Sequence, residues 1–344
     1  MIAHVALLAL LSPAAGGGGG TGEPAGDETA RRFERRVVAV AAAEALDGRR
    51  NAIENELRAL RLDPQRRAFQ GPRREGTNLL AVVPPAAAGP APERTLMLGA
   101  HLDRVEAGTG AVDNAGGCAA VLELLGRFQA RPLTNHRVVG LWFDQEEQGL
   151  LGSRAFAEAA GEADAPGAAS GLPDLFVNFD VFAYGETLWV HYPTEADRTA
   201  ARRFVQGTAA ADAAGEGGEP FPTVVGSVYP PSDHRSFAAV REGAEPSSRA
   251  AEMEVLSLSL LPREQILETV TFLEAMEGGG RPTRAGLPKI LALIHTANDT
   301  PSAVRPAEAA AAIDAVEAGL RALDAAAGEA APAANDPAND PAND

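Results

Sequence analysis

Short apolar runs alternate along the chain with longer segments in which apolar residues recur at helical spacing. The apolar runs predict strands at Asn78–Val83, Thr95–Ala100, Arg137–Phe143, Leu175–Phe179, Thr187–Val190, Val255–Leu260 and Lys289–Ile294. Helices are predicted at Gly116–Ala130, Leu150–Ala159, Thr194–Ala214, Arg263–Met276 and Pro306–Ala325. Nearly continuous apolar strands that alternate with helices are typical of a mostly parallel sheet covered on both faces. The pattern therefore predicts an α/β fold: a three-layer sandwich with a mixed, mostly parallel central sheet and helices on both faces.

The segment before the first predicted strand is charged and rich in Ala. Across Asp27–Arg61, apolar residues recur at helical spacing. The dipeptide Asp47-Gly48 favours a turn and predicts a break between two helices at that point. We expect both helices to pack on the sheet as part of the scaffold.

The two ends of the chain differ from the middle in composition. Residues 1–26 contain an apolar run, Val5–Leu11, followed by small residues and a Gly-rich stretch, which is typical of a signal peptide and a linker. We therefore expect export to the periplasm or beyond. This start has no Lys or Arg, and an Ala/Gly-biased start without a targeting role is the alternative. Residues 326–344 end in PAANDPANDPAND, which repeats Ala-Asn-Asp-Pro. This composition predicts a disordered tail and leaves residues 27–325 as one domain.

The charge and the cysteine content limit the classes of partner. The formal net charge is -17, which argues against a polyanionic partner such as nucleic acid. No apolar run after the start approaches the length of a stable membrane span. The single cysteine, Cys118, excludes an internal disulfide, and its apolar helical surroundings predict a buried, inert thiol. The sequence leaves the oligomeric state open.

Polar side chains follow several predicted strands at the point where each strand ends. His101 and Asp103 follow the second strand, Glu146 and Glu147 the third, Asp180 the fourth and His295 the last, while Asp113 precedes a helix. Ligands of open α/β sheets gather at the carboxyl ends of the strands. Each residue alone also has a structural explanation, such as a helix cap at Asp113 or a solvated helix start at Glu146. Their recurrence at successive strand ends favours a shared site.

The candidate set combines imidazoles with carboxylates and contains no thiolate. Such a set suits a catalytic zinc ion or a related divalent cation. Two histidines and three carboxylates exceed the needs of one open zinc site, and they match two ions that share a carboxylate, roughly 3.5–4 Å apart. The adjacent pair Glu146-Glu147 can then divide the work, with one residue accepting protons while its neighbour binds metal.

Six segments resemble, in order and spacing, the motifs of the secreted di-zinc aminopeptidases, the aminopeptidase S and Y family, whose fold is shared with glutaminyl cyclases. They are GAHLDRV, AVDNAGG, FDQEEQGLLGS, NFD, SDHRSF and IHTANDT. The resemblance covers about Asn78 to Thr300. It implies one zinc site of His101 and Asp180, a second of Glu147 and His295, and Asp113 as the ligand that bridges both.

The same resemblance implies roles for residues around these ligands. Glu146 would be the general base and then the acid that protonates the leaving amine. Asp103 would orient His101 through its far ring nitrogen, and Asp299 would act similarly near His295. His234 would line the substrate pocket or support the ligands, with a structural role as the alternative.

Ile294 differs from the residue that some members of the resembled family carry, and His136 lies outside the matching motifs. Some family members carry Tyr directly before the last metal-binding His, where this chain has Ile294. Tyr184, Tyr192 and Tyr229 are candidates to stabilise the oxyanion in its place. His136 precedes a predicted strand, and we expect it to be exposed.

The expected function is hydrolysis of the N-terminal peptide bond of a peptide substrate. The expected cofactors are two Zn²⁺ ions, with Co²⁺ or Mn²⁺ as alternatives, and a water held between the ions would be deprotonated by Glu146. A glutaminyl-peptide cyclotransferase with a single zinc is the second hypothesis. A binding domain of the same fold without chemistry is the third, and it predicts gaps in the ligand set, of which the sequence shows none.

Overall fold

A computed structural model describes residues 25–83, 94–162, 171–213, 220–245, 248–280 and 286–329. Most of the predicted leader, linker and tail lie outside these ranges. The last described helix runs to Glu329 and so includes the first residues of the predicted tail. Within the described ranges, none of the helices combines the length and the apolar character needed to cross a membrane.

The described strands form one mixed sheet. They are β1 (Gln65–Gln70), β2 (Glu75–Val82), β3 (Arg94–His101), β4 (His136–Phe143), β5 (Leu175–Phe182), β6 (Thr187–His191), β7 (Thr223–Gly226) and β8 (Glu254–Leu261). Their order across the sheet is β1-β2-β4-β3-β5-β8-β6-β7. The four central strands β4, β3, β5 and β8 run parallel, and antiparallel pairs flank them.

The described α-helices are α1 (Ala25–Ala41), α2 (Leu46–Ala59), α3 (Gly116–Ala130), α4 (Leu151–Glu162), α5 (Arg198–Ala213), α6 (His234–Glu242), α7 (Arg263–Glu277), α8 (Lys289–Leu293) and α9 (Pro306–Glu329). They cover both faces of the sheet. Leu96 and Leu98 of β3 belong to a buried cluster with Ile313 of α9, whereas Met97 between them belongs to a second cluster with Phe237 of α6. Alternate side chains of a strand point to opposite faces. The predicted three-layer α/β sandwich is therefore confirmed.

The strand predicted at Lys289–Ile294 is wrong, because these residues form helix α8 and its end. A short apolar run does not by itself distinguish a strand from a helical turn. Ile290 and Ile294 lie four residues apart and are 4% and 9% exposed, while Leu291 is 36% exposed. That spacing buries one side of a helix. His295 consequently follows a helix and not a strand.

Two edge strands and one helix were absent from the sequence-based prediction. Strand β1 reads QRRAFQ and is mostly exposed, so it lacks the apolar run that identifies a central strand. Strand β7 has four residues, too few for a periodic pattern to identify it, and α6 has nine. The break between α1 and α2 also falls earlier than predicted, since Asp47 and Gly48 lie in the first turn of α2.

The prediction that His136 is exposed is wrong. It is the first residue of β4 and is 6% exposed. Its Nδ1 lies 2.9 Å from Oδ1 of Asp324 on α9. The strand start is covered by the last helix, which the local sequence around His136 does not reveal.

A buried carboxylate joins helices α1 and α3. Glu123 of α3 is 2% exposed and pairs with Arg32 and Arg36 of α1 and with Arg127 of its own helix. Burial opposes ionisation of Glu123, but the three guanidinium groups outweigh it and hold the pKa of this carboxyl below its usual value. The ion pairs therefore stabilise the fold above the ordinary pKa of Glu, and this contribution is lost as the pH falls through the lowered pKa.

We expect Glu123→Gln to lower the free energy of unfolding by about 3 kcal/mol at neutral pH, because it leaves the buried Arg36 short of one partner. Urea denaturation of the two proteins measures the difference, which should shrink below about pH 4.3, the ordinary pKa of Glu. Glu28→Gln is the matched control, since Glu28 pairs with Arg32 at a site 74% exposed, and it should change stability by at most about 0.5 kcal/mol. A loss under about 1 kcal/mol for Glu123→Gln would contradict the assignment.

Candidate metal centre

The candidate ligands meet at the carboxyl edge of the central strands. His101 ends β3, Glu146 and Glu147 follow β4, Asp180 lies near the end of β5, Asp113 lies three residues before the start of α3, and His295 follows α8. Strand β3 pairs in parallel with β4 on one side and β5 on the other. Three neighbouring strands therefore deliver their terminal side chains to one edge.

Asp180 was predicted to follow its strand, but it lies within the strand. Strand β5 continues to Phe182, and its register against β8 shifts between Phe179 and Phe182. This irregularity lies at the position where Asp180 reaches the cluster. Local bulges commonly redirect a side chain next to a functional site.

The first cluster consists of His101, Asp113 and Asp180. Nε2 of His101 lies 3.1 Å from Oδ1 of Asp113 and 3.5 Å from Oδ1 of Asp180. The side chains of His101 and Asp113 are 2% and 6% exposed. This half of the site is thus enclosed by protein.

The second cluster consists of His295, Glu147 and again Asp113. Nε2 of His295 lies 3.0 Å from Oδ2 of Asp113 and 3.1 Å from Oε2 of Glu147. The His295 side chain is 51% exposed, so the site opens to solvent on this side. Asp113 directs one carboxylate oxygen to each cluster, which is the arrangement of a bridging ligand.

The donor atoms of both clusters are compatible with divalent cations. In each cluster, one donor atom from every member lies within 4.8 Å of the others, and the combination of His101, Glu146 and Glu147 meets the same limit. Among the described residues, Nδ1 of His101, Oε1 of Glu147 and Oδ1 of Asp180 are buried without a hydrogen-bond partner. Buried polar atoms of this kind require a partner. Imidazole nitrogen and carboxylate oxygen are donors that zinc accepts.

The pKa values of both histidines reflect the concentration of negative charge. Hydrogen bonds to Asp113 and Glu147 raise the pKa of His295 to about 10. Burial lowers the pKa of His101, but the carboxylates of Glu146 and of the neighbouring aspartates outweigh it, so this pKa lies well above its usual value. Each imidazole therefore favours an added positive charge, and divalent cations bound between these side chains would supply it.

Asp103 connects the two loops that carry the histidine and glutamate ligands. Its carboxylate accepts hydrogen bonds from the backbone N–H groups of Glu146 at 3.1 Å and Glu147 at 3.3 Å. Its Oδ1 lies 3.5 Å from Nδ1 of His101, beyond the usual hydrogen-bond length. Asp103 thus fixes the backbone of the Glu146-Glu147 pair and lies beside His101.

Asp299, which was expected to act near His295, lies against the backbone of Asp113. Its carboxylate accepts hydrogen bonds from the backbone N–H groups of Val112 at 2.7 Å and Asp113 at 3.1 Å. Its backbone carbonyl accepts from the N–H of Thr109 at 2.8 Å. The loop after α8 therefore holds the segment that presents Asp113.

His234 belongs to a buried group of aromatic rings beside the first cluster. Its ring contacts those of His191 and Tyr229, with centroids 4.8 Å and 5.5 Å away. The Tyr229 hydroxyl lies 2.5 Å from Oγ of Ser259, which donates to the backbone carbonyl of Asp180. These hydrogen bonds connect Tyr229, one of the three candidate tyrosines, to a ligand-bearing strand.

A further carboxylate was not singled out from the sequence although it lies in the SDHRSF segment. Asp233 is completely buried, and both of its carboxylate oxygens lack a hydrogen-bond partner among the described residues. Burial raises the pKa of Asp233 to about 7. Burial also raises the pKa of Glu146 to about 9, with Asp233 and Asp180 reinforcing the shift against the attraction of His101. A cation at the cluster would oppose the shift of Glu146, because an opposite charge favours the ionised form.

Left-handed backbone occurs beside three of the candidate ligands. Gln145, which precedes Glu146, has φ 62°, Val181, which follows Asp180, has φ 54°, and His295 itself has φ 59°. Residues other than glycine rarely adopt this conformation, least of all a β-branched valine. Such strain concentrates at functional sites, where the surrounding structure enforces it.

The α/β sandwich thus carries two His–carboxylate clusters, joined by one aspartate, whose side chains could hold metal ions. The sequence model of Peptidase family M28 matches residues 78–319 of this chain. This range includes every candidate ligand. The chain belongs to this family.

Sequence relatives match over shorter stretches. Leupeptin-inactivating enzyme 1 of Streptomyces exfoliatus is 38% identical over 109 residues, which are 31% of this chain and 22% of that protein. The probable lipoprotein aminopeptidase LpqL of Mycobacterium tuberculosis is 39% identical over 88 residues, which are 26% of this chain and 17% of that protein. The chain thus spans less than a quarter of the length of these curated relatives.

Solved structures share the fold across most of the chain. The LapA aminopeptidase of Legionella pneumophila has a TM-score of 0.59 at 16% identity and covers 87% of this chain and 73% of its own. The glutaminyl cyclase of Porphyromonas gingivalis has a TM-score of 0.58 at 16% identity, covering 88% of this chain and 98% of its own. Both likenesses concern the fold, which aminopeptidases and glutaminyl cyclases share.

Proposed function

We propose that this protein is a metal-dependent aminopeptidase that uses two zinc ions to hydrolyse the N-terminal peptide bond of a peptide. The observation that carries the proposal is the position of Asp113. Its Oδ1 lies 3.1 Å from His101 and its Oδ2 lies 3.0 Å from His295. One carboxylate shared by two His–carboxylate clusters is the arrangement that a pair of catalytic cations needs.

In the proposed reaction, zinc ions held by these residues would polarise the scissile carbonyl and make water more acidic. Glu146 would accept a proton from the attacking water, whose oxygen forms the new bond to the carbonyl carbon. Glu146 would then give that proton to the amine nitrogen as the C–N bond breaks. The products are the released amino acid and the shortened peptide. Asp103 holds the backbone N–H groups of the Glu146-Glu147 pair and so would keep the base in place.

The concentration of carboxylates at the site suits a substrate with a free amino terminus. Asp180 and Glu147 are 15% and 9% exposed, and both border the bridging Asp113. A substrate α-ammonium would find carboxylate partners here. The name of LpqL, a probable lipoprotein aminopeptidase, supports the same reaction, and we extend the proposal to export of this chain on the strength of its first 26 residues.

A glutaminyl-peptide cyclotransferase is the second candidate, because the P. gingivalis glutaminyl cyclase covers nearly the whole fold. Such an enzyme would use a single zinc ion. One of the two clusters that meet at Asp113 would then have no metal to hold. Its complete set of donors favours the dinuclear peptidase.

The test is a metal count combined with a two-substrate assay. We expect about two zinc ions per chain, in line with a dinuclear site, cleavage of aminoacyl-p-nitroanilides, and loss of that cleavage with 1,10-phenanthroline that added Zn²⁺ restores. N-terminal glutaminyl peptides should yield no pyroglutamyl product. One zinc per chain with pyroglutamate formation would establish the second candidate, and cleavage that chelator leaves intact would overturn the metal-dependent proposal.

A further inference from the structure

We infer that Arg49 of α2, which lies before the family-matched residues, is a positioning residue for the metal ligands. The inference rests on the ligand set proposed above. Arg49 is 1% exposed, although arginine is rarely buried without a specific partner. Its partners are backbone carbonyls of the loop that separates His101 from Asp113, and not a carboxylate.

The guanidinium group joins the two ends of that loop. Nε donates to the carbonyl of Leu102 at 2.6 Å, while Nη1 and Nη2 donate to the carbonyls of Thr109 at 2.9 Å and Gly110 at 3.2 Å. Leu102 directly follows the ligand His101, and Gly110 precedes the bridging Asp113 by three residues. One planar guanidinium group therefore donates hydrogen bonds to both chain segments that present His101 and Asp113.

Arginine is suited to this contact because its planar fork presents donors in fixed directions. A lysine at the same position has one nitrogen and cannot hold both ends of the loop in the same way. The loop also wraps around its own Arg104, whose Nη1 donates to the carbonyls of Val105 at 2.8 Å and Gly108 at 3.1 Å. The contacts of Arg104 shape the middle of the loop, whereas Arg49 contacts both of its ends.

Arg50, the next residue of α2, contacts the loop that carries Glu146 and Glu147. Nη2 of Arg50 donates to Oδ2 of Asp144 at 3.2 Å, and Asp144 is two residues before Glu146. Asp144 is completely buried and also accepts from Arg74 and from the backbone N–H of Thr77. Helix α2 is thereby held between both loops, which fixes the point from which Arg49 reaches.

The experiment measures metal binding, not turnover. The Co²⁺-loaded protein is titrated against a chromophoric chelator, its d–d absorption is recorded, and thermal unfolding is followed in parallel. We expect Arg49→Met to weaken Co²⁺ binding by about 10- to 100-fold and to alter the d–d bands, as loss of outer contacts to ligands does elsewhere. The Co²⁺ affinity of Arg49→Lys should lie between that of Arg49→Met and that of the unchanged protein. Arg58→Met is the control, because Arg58 is on the same helix, 56% exposed, and pairs with Glu54.

The outcomes separate this inference from the proposed site. A folded Arg49→Met protein with unchanged affinity and spectrum overturns the positioning role, even if its melting temperature falls. Should Arg49→Met not fold, the Arg49→Lys protein decides by the same two readouts. Asp113→Asn is measured alongside: if it binds Co²⁺ normally the proposed ligand set fails, and if it alone loses Co²⁺ only the role of Arg49 fails.

Discussion

Replacing Glu146 with Gln is expected to lower kcat for aminoacyl-p-nitroanilides by about 10²- to 10⁴-fold, the usual contribution of a general acid–base residue. Glutamine keeps the shape of the side chain but cannot accept the proton of the attacking water. KM should change little, because Glu146 is proposed to act on the water and the leaving amine and not to hold the substrate. The zinc content should stay that of the unchanged protein.

The zinc content is the decisive measurement in that experiment. Glu146 has a donor atom within 4.8 Å of donor atoms of His101 and Glu147, so these three residues could also hold a metal ion together. A Glu146→Gln protein that loses zinc would identify Glu146 as a ligand, and one that keeps its zinc and its kcat would remove it from the reaction. Glu158→Gln on α4 is the control. It makes the same chemical change at an exposed position and should leave both measurements unchanged.

Asp113→Asn is expected to reduce zinc affinity by at least about 100-fold and to abolish measurable peptidase activity. Loss of an outer contact alone costs about 10- to 100-fold, and Asp113 is the proposed ligand of both ions. The amide has one oxygen and no negative charge, so it cannot replace a carboxylate that faces His101 with one oxygen and His295 with the other. Zinc per chain after dialysis, measured by mass spectrometry, gives the result.

Single-histidine variants make the result specific to the bridge. His101→Ala and His295→Ala each leave the other cluster intact, so each should retain about one zinc ion if the site is dinuclear, whereas Asp113→Asn should retain none. Asp314→Asn on α9 serves as the control, at a side chain that is 60% exposed. Full zinc content in Asp113→Asn would refute the bridging assignment.

The positions of candidate ligands that follow apolar runs could be predicted before the fold was known. His101 directly follows one apolar run and Glu147 lies four residues after the end of another. Runs of this kind become neighbouring parallel strands, so the meeting of these two residues was predictable from the sheet alone. His295 was placed correctly near the others for a partly wrong reason, because the run before it is a helix. Its place in the site comes from the packing of α8, which periodicity over so few residues does not show.

Contacts between distant segments could not be predicted in this way. Asp299 was expected to act near His295, yet its carboxylate accepts a hydrogen bond from the backbone N–H of Asp113. The spacing of residues along the chain does not predict this contact. Arg49 read as one charged residue in a scaffold helix, while the fold buries it against the carbonyls of another loop. Asp233 likewise gained its importance only from burial, since the same Asp on a surface would be an ordinary helix start.

The sequence by itself determined the sandwich, the family to which the chain belongs and the set of imidazoles and carboxylates available to a cation. The sandwich depends on hydrophobic periodicity, and the family and the candidate residues depend on the order and spacing of short motifs, all of which are visible along the chain. Only the tertiary structure decided that the two oxygens of Asp113 face different histidines, and which buried groups hold the ligand loops in place. Those facts depend on distances between segments far apart in the chain, and such distances are set by packing of the whole core.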